Sequence, residues 1–413
     1  MRHLVRLALV ALCIVLLVGW VKRRIRAHSY RARATAACVA PQVVDAAPLP
    51  ATVADPTPTA SAEPMPAAIL TDILEVDRVL ARGTSTTFTR NLLVKHGATL
   101  RIEPGAKLQF ASGTVLRIAG TLLAKGTEDA PIVMDTAEDE TGTWHGIVFE
   151  DDVLSGSSLE WVVVRSGRDA SALQFSTVTV QGPPRAVSIT HSKIESATAT
   201  ALSVTTPLAR FHDNTLDGSL SSLDIDADAL WSIGPGNVFF MPIHATGRVT
   251  HDQSWPKVNV PIVITGTLSV DGLREPAVLT LADDTDLQFA ARGQLNVGKM
   301  YTDGHGGALR ARHVSMTNAP EFTSWSGVRF FDRAEGSSLD DCVIEGAQVG
   351  VVFHGTKKGV SVRNTTFLHV EHAVHSTSDR DCGALVIPSS GNRVFGGGLC
   401  RREPLPAGGA QDD

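Results

Sequence analysis

The 413-residue chain has few aromatic residues, few cysteines and no familiar metal or redox motif. Aromatic residues make up 5% of the sequence, with two tyrosines, and there are five cysteines. The chain has no Cys-x-x-Cys pair, Cys/His cluster or His-Glu-x-x-His segment, the spacings by which zinc sites are recognised. We therefore expect no metal and no cofactor.

The chain also has fewer basic than acidic residues. The 37 lysines and arginines are mostly scattered, 43 acidic residues outnumber them, and the formal net charge is -6. A protein that binds nucleic acid needs a concentrated basic surface to neutralise phosphates. The composition therefore predicts no nucleic-acid partner.

The chain has one long apolar run, at its N-terminus, where residues 7–21 read LALVALCIVLLVGWV. Extended to residues 4–21, the run approaches the length that a helix needs to cross the hydrocarbon layer. We interpret residues 1–33 as a membrane anchor with a basic flank. A cleaved signal peptide is the alternative, but its cleavage site should follow the run directly, where the basic segment KRRIR stands instead.

The next segment, residues 34–69, is rich in alanine, proline and threonine. Such a composition cannot bury enough apolar surface to fold, so we expect a disordered, extended linker. A spacer of this kind favours an exported body, periplasmic or extracellular, held clear of the bilayer. The basic residues after the span predict the opposite orientation by the positive-inside rule, which leaves a cytoplasmic scaffold open.

The body is a series of short runs rich in Val, Ile, Leu, Thr and Phe, punctuated by turn residues. Alternation within the runs, as in Leu100 and Ile102, predicts strands with one inward face. We divide the body into an N-terminal cap at residues 70–91, formed by an amphipathic helix or an edge segment, and two halves at residues 92–250 and 251–400. The last half includes a C-terminal cap, and residues 401–413 are expected to be a disordered tail.

The two halves share sequence at a distance of about 180 residues. The segment WHGIVFED, which begins at Trp144, recurs as WSGVRFFD at Trp325, and GSSLE at Gly156 recurs as GSSLD at Gly336. Positions repeated by internal duplication are more typical of architecture than of sugar stacking. We therefore expect both tryptophans to pack against the coil.

A sandwich or an antiparallel barrel could also use many short strands. Three Asp-Gly pairs are too few for every strand to return through a tight hairpin. Recurring Asn and Ser at strand ends suit a solenoid instead, because equivalent turns stack and share hydrogen bonds. The sequence thus favours an all-β fold, a parallel β-helix.

Residues 92–136 contain a Glu-Pro-Gly-Ala turn and the segment GTLLAKGTEDAPI, and are followed by TWHGIVFED and SSLEWVVVRSG. These segments resemble the opening coils of bacterial right-handed parallel β-helix proteins, the pectin-lyase-like superfold. The resemblance implies a right-handed β-helix and identifies a fold far better than an activity. Enzymes of this fold act on acidic polysaccharides, so it also motivates a search for catalytic carboxylates.

The clearest acidic group is LDIDADAL, in which Asp224, Asp226 and Asp228 alternate. In one strand they would project three carboxylates from one face and could bind Ca²⁺. A solvated strand face is the simpler interpretation. Among the histidines, those of LHVEHAVHS are three residues apart and could converge on a metal only in a helix, which the β context disfavours.

Two motifs superficially resemble those of pectin-cleaving hydrolases, Gly304-His305-Gly306 and Asp340-Asp341. They occur in reversed order and without the accompanying motifs, so we give them no catalytic role. At the C-terminal end, a disulfide between Cys382 and Cys400 would close a loop if the body is exported. Two unpaired thiols are the alternative.

The sequence therefore assigns no catalytic and no cofactor-binding residue. We interpret the chain as a membrane-anchored, exported, non-enzymatic β-helix protein of the cell envelope that has a structural role or binds a glycan or protein. The alternative is a polysaccharide lyase or glycoside hydrolase acting on acidic glycans. An enzyme should present a groove where charged side chains of neighbouring coils converge within roughly 5 to 10 Å.

Overall fold

The computed structural model describes residues 73–138, 142–166, 176–354, 359–376 and 390–401. The predicted anchor at residues 4–21, the linker, Cys382 and residues 402–413 lie outside these ranges. Within the described ranges, no helix is long and apolar enough to cross a membrane.

The described body consists of short strands and a single 3₁₀ helix at Ala227–Ser232. The strands up to the helix and the one after it are β1 (Ile73–Leu74), β2 (Arg78–Leu80), β3 (Ser85–Phe88), β4 (Leu92–Val94), β5 (Thr99–Ile102), β6 (Lys107–Phe110), β7 (Leu116–Ile118), β8 (Thr121–Lys125), β9 (Ile132–Thr136), β10 (Ile147–Phe149), β11 (Ser157–Glu160), β12 (Val162–Ser166), β13 (Val178–Val180), β14 (Val187–Thr190), β15 (Lys193–Ser196), β16 (Leu202–Val204), β17 (Arg210–His212), β18 (Thr215–Asp217), β19 (Leu223–Asp226) and β20 (Val238–Phe239). The later strands are β21 (Ile243–Val249), β22 (Gln253–Trp255), β23 (Ile262–Val270), β24 (Ala277–Leu281), β25 (Asp286–Phe289), β26 (Gln294–Val297), β27 (Gly307–Arg312), β28 (Ser315–Asn318), β29 (Val328–Phe330), β30 (Ser338–Asp340), β31 (Val343–Glu345), β32 (Val349–Phe353), β33 (Ser361–Arg363), β34 (Thr366–Leu368), β35 (His372–Ser376), β36 (Arg393–Phe395) and β37 (Gly398–Arg401).

Each described strand pairs with its equivalent in a neighbouring coil, and all pairings among the described strands are parallel. In the first half, ladder 1 is β1-β4-β7-β10-β13-β16-β19, ladder 2 is β2-β5-β8-β11-β14-β17, and ladder 3 is β3-β6-β9-β12-β15-β18-β20. In the second half, ladder 4 is β22-β24-β27-β30-β33, ladder 5 is β25-β28-β31-β34-β36, and ladder 6 is β26-β29-β32-β35-β37. The chain is all-β, and its stacked parallel ladders are consistent with a β-helix.

The core is a continuous apolar column formed by alternate strand residues. In β5, Leu100 and Ile102 are buried while Arg101 is exposed, and Val187 and Ile189 of β14 are buried in the same way. Because one coil has apolar residues on its inner side only, each coil needs both neighbours to cover them. The predicted alternation is confirmed at these strands.

The predicted cap segment begins with strands. From Ile73 the chain forms β1, β2 and β3, which pair with β4, β5 and β6 of the next coil. The helical option for residues 73–91 is therefore wrong, and this segment is the first coil of the described part of the stack. Short β-branched and Thr-rich runs separated by a Gly turn favour strands over a helix here.

Trp144 and Trp325 have matching surroundings. The Trp144 ring stacks on Phe110 with centroids 4.0 Å apart, and the Trp325 ring stacks on Phe289 at 3.9 Å. Each indole N–H donates to a backbone carbonyl, at 2.6 Å and 2.8 Å respectively. Both side chains are fully buried, so they pack in the core and do not face a ligand.

The halves are nevertheless offset by one ladder. Ladder 1 continues through the first residues of β21 and β23 into ladder 5, since Ile243 pairs with Ile262 and Ile262 with Leu287. The last residues of β21 and β23 begin ladder 6, where Val270 pairs with Val297. As a result, Trp144 precedes a strand of ladder 1 and Trp325 precedes a strand of ladder 6. The segment from β19 to β23, which we call the junction, absorbs this offset.

Stacked turns carry the shared hydrogen bonds that the sequence predicted. Asn214 donates through Nδ2 to Oδ1 of Asn237 at 3.0 Å, and its own Oδ1 accepts from the backbone N–H of Ser192. In the second half, Asn392 accepts from the backbone N–H of Thr365 at 2.9 Å. Side chains placed in this way satisfy turn amides that no strand partner reaches.

Candidate functional site

Two grooves cross the outside of the junction. The larger, about 720 Å³, is lined by Arg185, Trp231, residues 251–254, Val278, Thr280 and Arg310. We call it the Trp231 groove. The smaller, about 310 Å³, is lined by residues 203–205, residues 224–226, residues 244–246 and Thr265. We call it the Asp224 groove.

The Trp231 groove draws its side chains from both halves and from the break between them. Trp231 belongs to the 3₁₀ helix, which takes the place of a ladder 2 strand, and Arg310 belongs to β27 of ladder 4. A helical turn displaces the chain from the flat ladder and leaves a concavity beside β22. The groove therefore exists because the regular strand is missing at this coil.

Arginine dominates the charge of the Trp231 groove. The Arg185 guanidinium lies over the Trp231 ring, 5.0 Å from its centroid, and Arg310 is exposed. Within the described part of the chain, neither arginine forms an ion pair. The lining carboxylate, Asp252, accepts a hydrogen bond from the backbone N–H of Val278 at 2.8 Å. An acidic protein thus presents in this groove two arginines that have no ion-pair partner among the described residues.

The Asp224 groove contains two of the acidic residues that the sequence singled out. Asp224 and Asp226 lie on the outer face of β19, alternating with the inward Leu223 and Ile225. Residues two apart on a strand have Cα atoms separated by about 7 Å. His244 of β21 pairs in register with Asp224, and its Nδ1 lies 3.3 Å from the carboxylate.

The surroundings of Asp224 and Asp226 shift the pKa values of these two carboxyl groups in opposite directions. Burial favours the neutral form of Asp224, but hydrogen bonds from His244 and from the Ser221 and Thr200 hydroxyls outweigh it and lower the pKa of Asp224. Burial raises the pKa of Asp226, and the nearby Asp228 carboxylate raises it further. Divergent pKa values in neighbouring carboxylates are typical of acid–base sites, although structural networks also produce them.

The third acidic residue does not share the strand face. The strand ends at Asp226, which caps the 3₁₀ helix by accepting the backbone N–H of Asp228 at 2.8 Å. Asp228 itself accepts from the Thr250 backbone N–H at 2.8 Å and from Gln253 Nε2 at 3.0 Å. The expectation of three carboxylates on one strand face is therefore wrong for Asp228, because alternation stops where the helix begins.

The hydrolase-like motifs occupy structural positions. Asp271 is fully buried and holds the loop that contains Gly304-His305-Gly306, accepting the Gly306 backbone N–H at 2.9 Å. Asp340 ends β30, and Asp341 follows it with a φ of 52° in a turn. Both motifs thus lie in turns and loops, and their lack of a catalytic role stays a prediction.

The cysteine prediction is only partly within the described residues. Cys382 lies outside them, so the Cys382–Cys400 disulfide stays a prediction, and Cys400 is in the last strand, β37. Cys342 is a free, buried thiol, and burial raises its pKa to about 11. A thiol with so high a pKa is a poor nucleophile at neutral pH.

Sequence reasoning missed the Trp231 groove. Arg185, Trp231 and Arg310 are far apart in sequence and belong to no motif, and Trp231 lacks a counterpart in the internal repeat. The missing counterpart would not have singled it out, because Trp161 and Trp255 also lie outside the repeat and Trp255 is buried in the core.

Comparison with protein-family models finds no match, and comparison with curated proteins finds none either. The class that the fold and grooves define is an all-β protein of stacked parallel strands with two open grooves at the break in its repeat.

Proposed function

We propose that this chain is a right-handed β-helix of the pectin-lyase-like superfold that binds an acidic glycan at the cell envelope without cleaving it. The turn and strand segments at residues 92–167 support the superfold and the handedness. The Trp231 groove supports the ligand class. The arginines and the tryptophan that line that groove support a role in binding.

The observation that carries the proposal is a pair of arginines in a groove about 720 Å³ in volume, neither of which has an ion-pair partner among the described residues. Guanidinium groups bind carboxylates and sulfates through paired hydrogen bonds, and an indole ring offers an apolar surface to a sugar. Glycoside hydrolysis ordinarily needs two carboxylates, whereas the lining of this groove contains one. Binding of an acidic saccharide is therefore the activity that its chemistry fits.

The test is a binding assay with the purified full chain against matched acidic and neutral oligosaccharides. Arg310→Ala should weaken binding of the acidic ligand by at least about tenfold, because a hydrogen bond to a charged group is worth roughly 1.5–3 kcal/mol. Arg101→Ala is the matched control, since Arg101 is an exposed arginine on β5 of ladder 2. Equal binding by the two variants would contradict the proposal, as would equal affinity for neutral saccharides.

A second candidate is hydrolysis of an acidic glycan in the Asp224 groove. Its specific support is the opposite direction of the Asp224 and Asp226 pKa shifts. Asp226, whose pKa is raised, would donate the proton, and Asp224 would act as the base. A reducing-end assay would then detect cleavage that Asp226→Asn abolishes, while binding through the Trp231 groove persists. No release of reducing ends from any acidic oligosaccharide that the chain binds would remove this candidate.

We also propose that residues 4–21 anchor the chain in the membrane and that the body is exported. The apolar run and the proline-rich spacer at residues 34–69 support this placement, whereas the basic flank opposes it. A membrane-impermeant maleimide tests it on intact cells after mild reduction. Labelling of Cys382 and Cys400 without permeabilisation is expected, and labelling only after permeabilisation would place the body in the cytoplasm.

A further inference from the structure

A group of metal-ligating side chains lies outside both grooves, on the turns between ladders 2 and 3. One donor atom each from His191, His212 and Asp213 lies within 4.8 Å of the others. His191 Nε2 is 3.6 Å from Asp213 Oδ2, and His212 Nδ1 is 2.8 Å from the same oxygen. The three residues come from two neighbouring coils.

The stacking of turns brings these residues together. His191 and Asp213 are the residues at which each turn leaves ladder 2, and both have a left-handed backbone, with φ of 51° and 57°. Equivalent residues of adjacent coils lie about 4.8 Å apart, so their side chains project side by side. His212 precedes Asp213 at the end of β17 and adds a second imidazole.

The ring of His191 is held in place on one side. It stacks on Trp161, with centroids 4.7 Å apart and planes 20° from parallel, and it meets His212 edge-on at 5.5 Å. Gly236, in the next turn of the column, packs against Oδ1 of Asp213, where a Cβ would clash. Asp213 Oδ2 therefore faces the two histidines.

We propose that His191, His212 and Asp213 bind a divalent transition-metal ion, with zinc the best match to the donor set. Two imidazoles and one carboxylate suit zinc, and in a tetrahedral site the donor atoms are about 3.3 Å apart. The two distances to Asp213 Oδ2, 3.6 Å and 2.8 Å, lie on either side of that value, and the two imidazole donors lie within 4.8 Å of each other. Side-chain rotation that shifts the donor atoms by about 1 to 2 Å would bring the three donors to tetrahedral spacing. The side chains are a third to a half exposed, which leaves a fourth position open to water.

The bound ion would join one coil to the next. His191 follows β14, whereas His212 ends the corresponding strand of the next coil and Asp213 follows it, so coordination links the two coils directly. The other account of the cluster is a set of hydrogen-bonded pairs between histidine and aspartate that needs no ion. Only the first account predicts a stoichiometric response to zinc.

The experiment titrates Zn²⁺ into the metal-free full chain by calorimetry and records thermal unfolding with and without the ion. We expect Zn²⁺ but not Ca²⁺ to bind and to raise the unfolding temperature. Asp213→Asn should weaken this binding at least tenfold, and it preserves the fold because Asn tolerates a left-handed backbone. His191→Gln should reduce the zinc stoichiometry by one.

His313→Ala is the matched control. His313 lies in the equivalent turn of the second half, with its two ring nitrogens 3.3 Å from Asp283 and 3.1 Å from Asp341, but this turn holds one histidine instead of two. The control should keep the full zinc stoichiometry and the full rise in unfolding temperature. Zinc binding that is equal in the wild type, Asp213→Asn and His191→Gln would overturn the proposal, and so would a wild type that binds no zinc.

Discussion

The first and second halves of the stack agree in their cores and differ at the place where they meet. In both, an indole stacks on a phenylalanine of the preceding coil and donates to a carbonyl of the third strand after it. At the junction the regular coil is interrupted. The ladders shift by one position there, and the chain forms a 3₁₀ helix and the long strands β21 and β23. Both grooves open there.

The difference between the regular halves and the junction indicates where a repeat protein can form a ligand-binding groove. A regular coil must present the same inward side chains and close-packed turns to each neighbour, so its outer face stays flat. A break in the repeat releases that constraint, because the strand that would fill the concavity is absent. The comparison predicts that equivalent substitutions in the two halves cause equal losses of stability. Substitutions at the junction have no equivalent in the repeat and should each act in their own way.

The largest effect is expected from the two core tryptophans. Trp144→Ala and Trp325→Ala should each lower the free energy of unfolding by about 3–5 kcal/mol, because a large buried ring is lost and its cavity cannot close fully. Chemical denaturation of both variants measures this. Losses that differ by more than about 2 kcal/mol would break the equivalence of the halves.

The next effect concerns the glycine that follows each tryptophan by two residues. Gly146 and Gly327 have φ of 81° and 93°, and a Cβ would clash with the carbonyl oxygens of Thr177 and Val349. Substitution by alanine should cost about 2 kcal/mol or more in either half, since both left-handed strain and a backbone clash result.

A repeated pair of glycines provides the control for that experiment. Gly156 and Gly336 have φ of 99° and 82°, but a Cβ at either position would meet nothing within 4 Å. Alanine there should cost only the conformational strain, about 1–2 kcal/mol. A larger loss at Gly156 than at Gly146 would show that the close approach to the neighbouring coil is unimportant.

The smallest expected effect is a difference between Asp224 and Asp226 in how each affects the pH dependence of stability. The pKa of Asp224 is below its ordinary value of 3.8 in the folded chain, so its contribution to stability is present above pH 3.8 and is lost as pH falls through the folded pKa. Asp224→Asn should therefore destabilise the chain at pH 7, with the difference disappearing in acid.

Asp226→Asn should act in the opposite direction. The pKa of Asp226 is raised in the fold, so ionisation costs stability once pH rises above 3.8. The amide removes that cost and still accepts the Asp228 backbone N–H, so the variant should be at least as stable as wild type at pH 7. Thermal unfolding from pH 3 to pH 7 measures both variants. Parallel pH profiles for the two would contradict the assigned shifts.

Much of the fold could be predicted because its signals are local. Alternation in TLRI and KLQF gives the inward face, and the WHGIVFED and WSGVRFFD segments reveal the repeat. The ladder offset could not be predicted, since hydrogen-bond partners about 20 residues apart leave no local pattern in β21 or β23. The helix at Ala227–Ser232 was hidden for a related reason, because LDIDADAL alternates as a strand does until tertiary contacts end it.

The sites were harder to predict than the fold. Asp224 and Asp226 were found because neighbouring residues on a strand are neighbours in sequence. The Trp231 groove joins Arg185 to Arg310, and the histidine cluster joins two coils, so neither has a sequence signature. In a solenoid, such residues become neighbours only when the residues between them fill whole coils. The number of residues in a coil varies along this chain, so the sequence does not reveal which residues will meet.

The most direct measurement is a structure of the full chain with a bound acidic oligosaccharide. The account predicts the saccharide in the groove at the junction, with an acidic group within hydrogen-bond distance of Arg310 and its chain crossing β22 and β24. A saccharide bound instead along a regular stretch of either half, or no occupancy at saturating concentration, would contradict the claim that the break in the repeat is the binding surface.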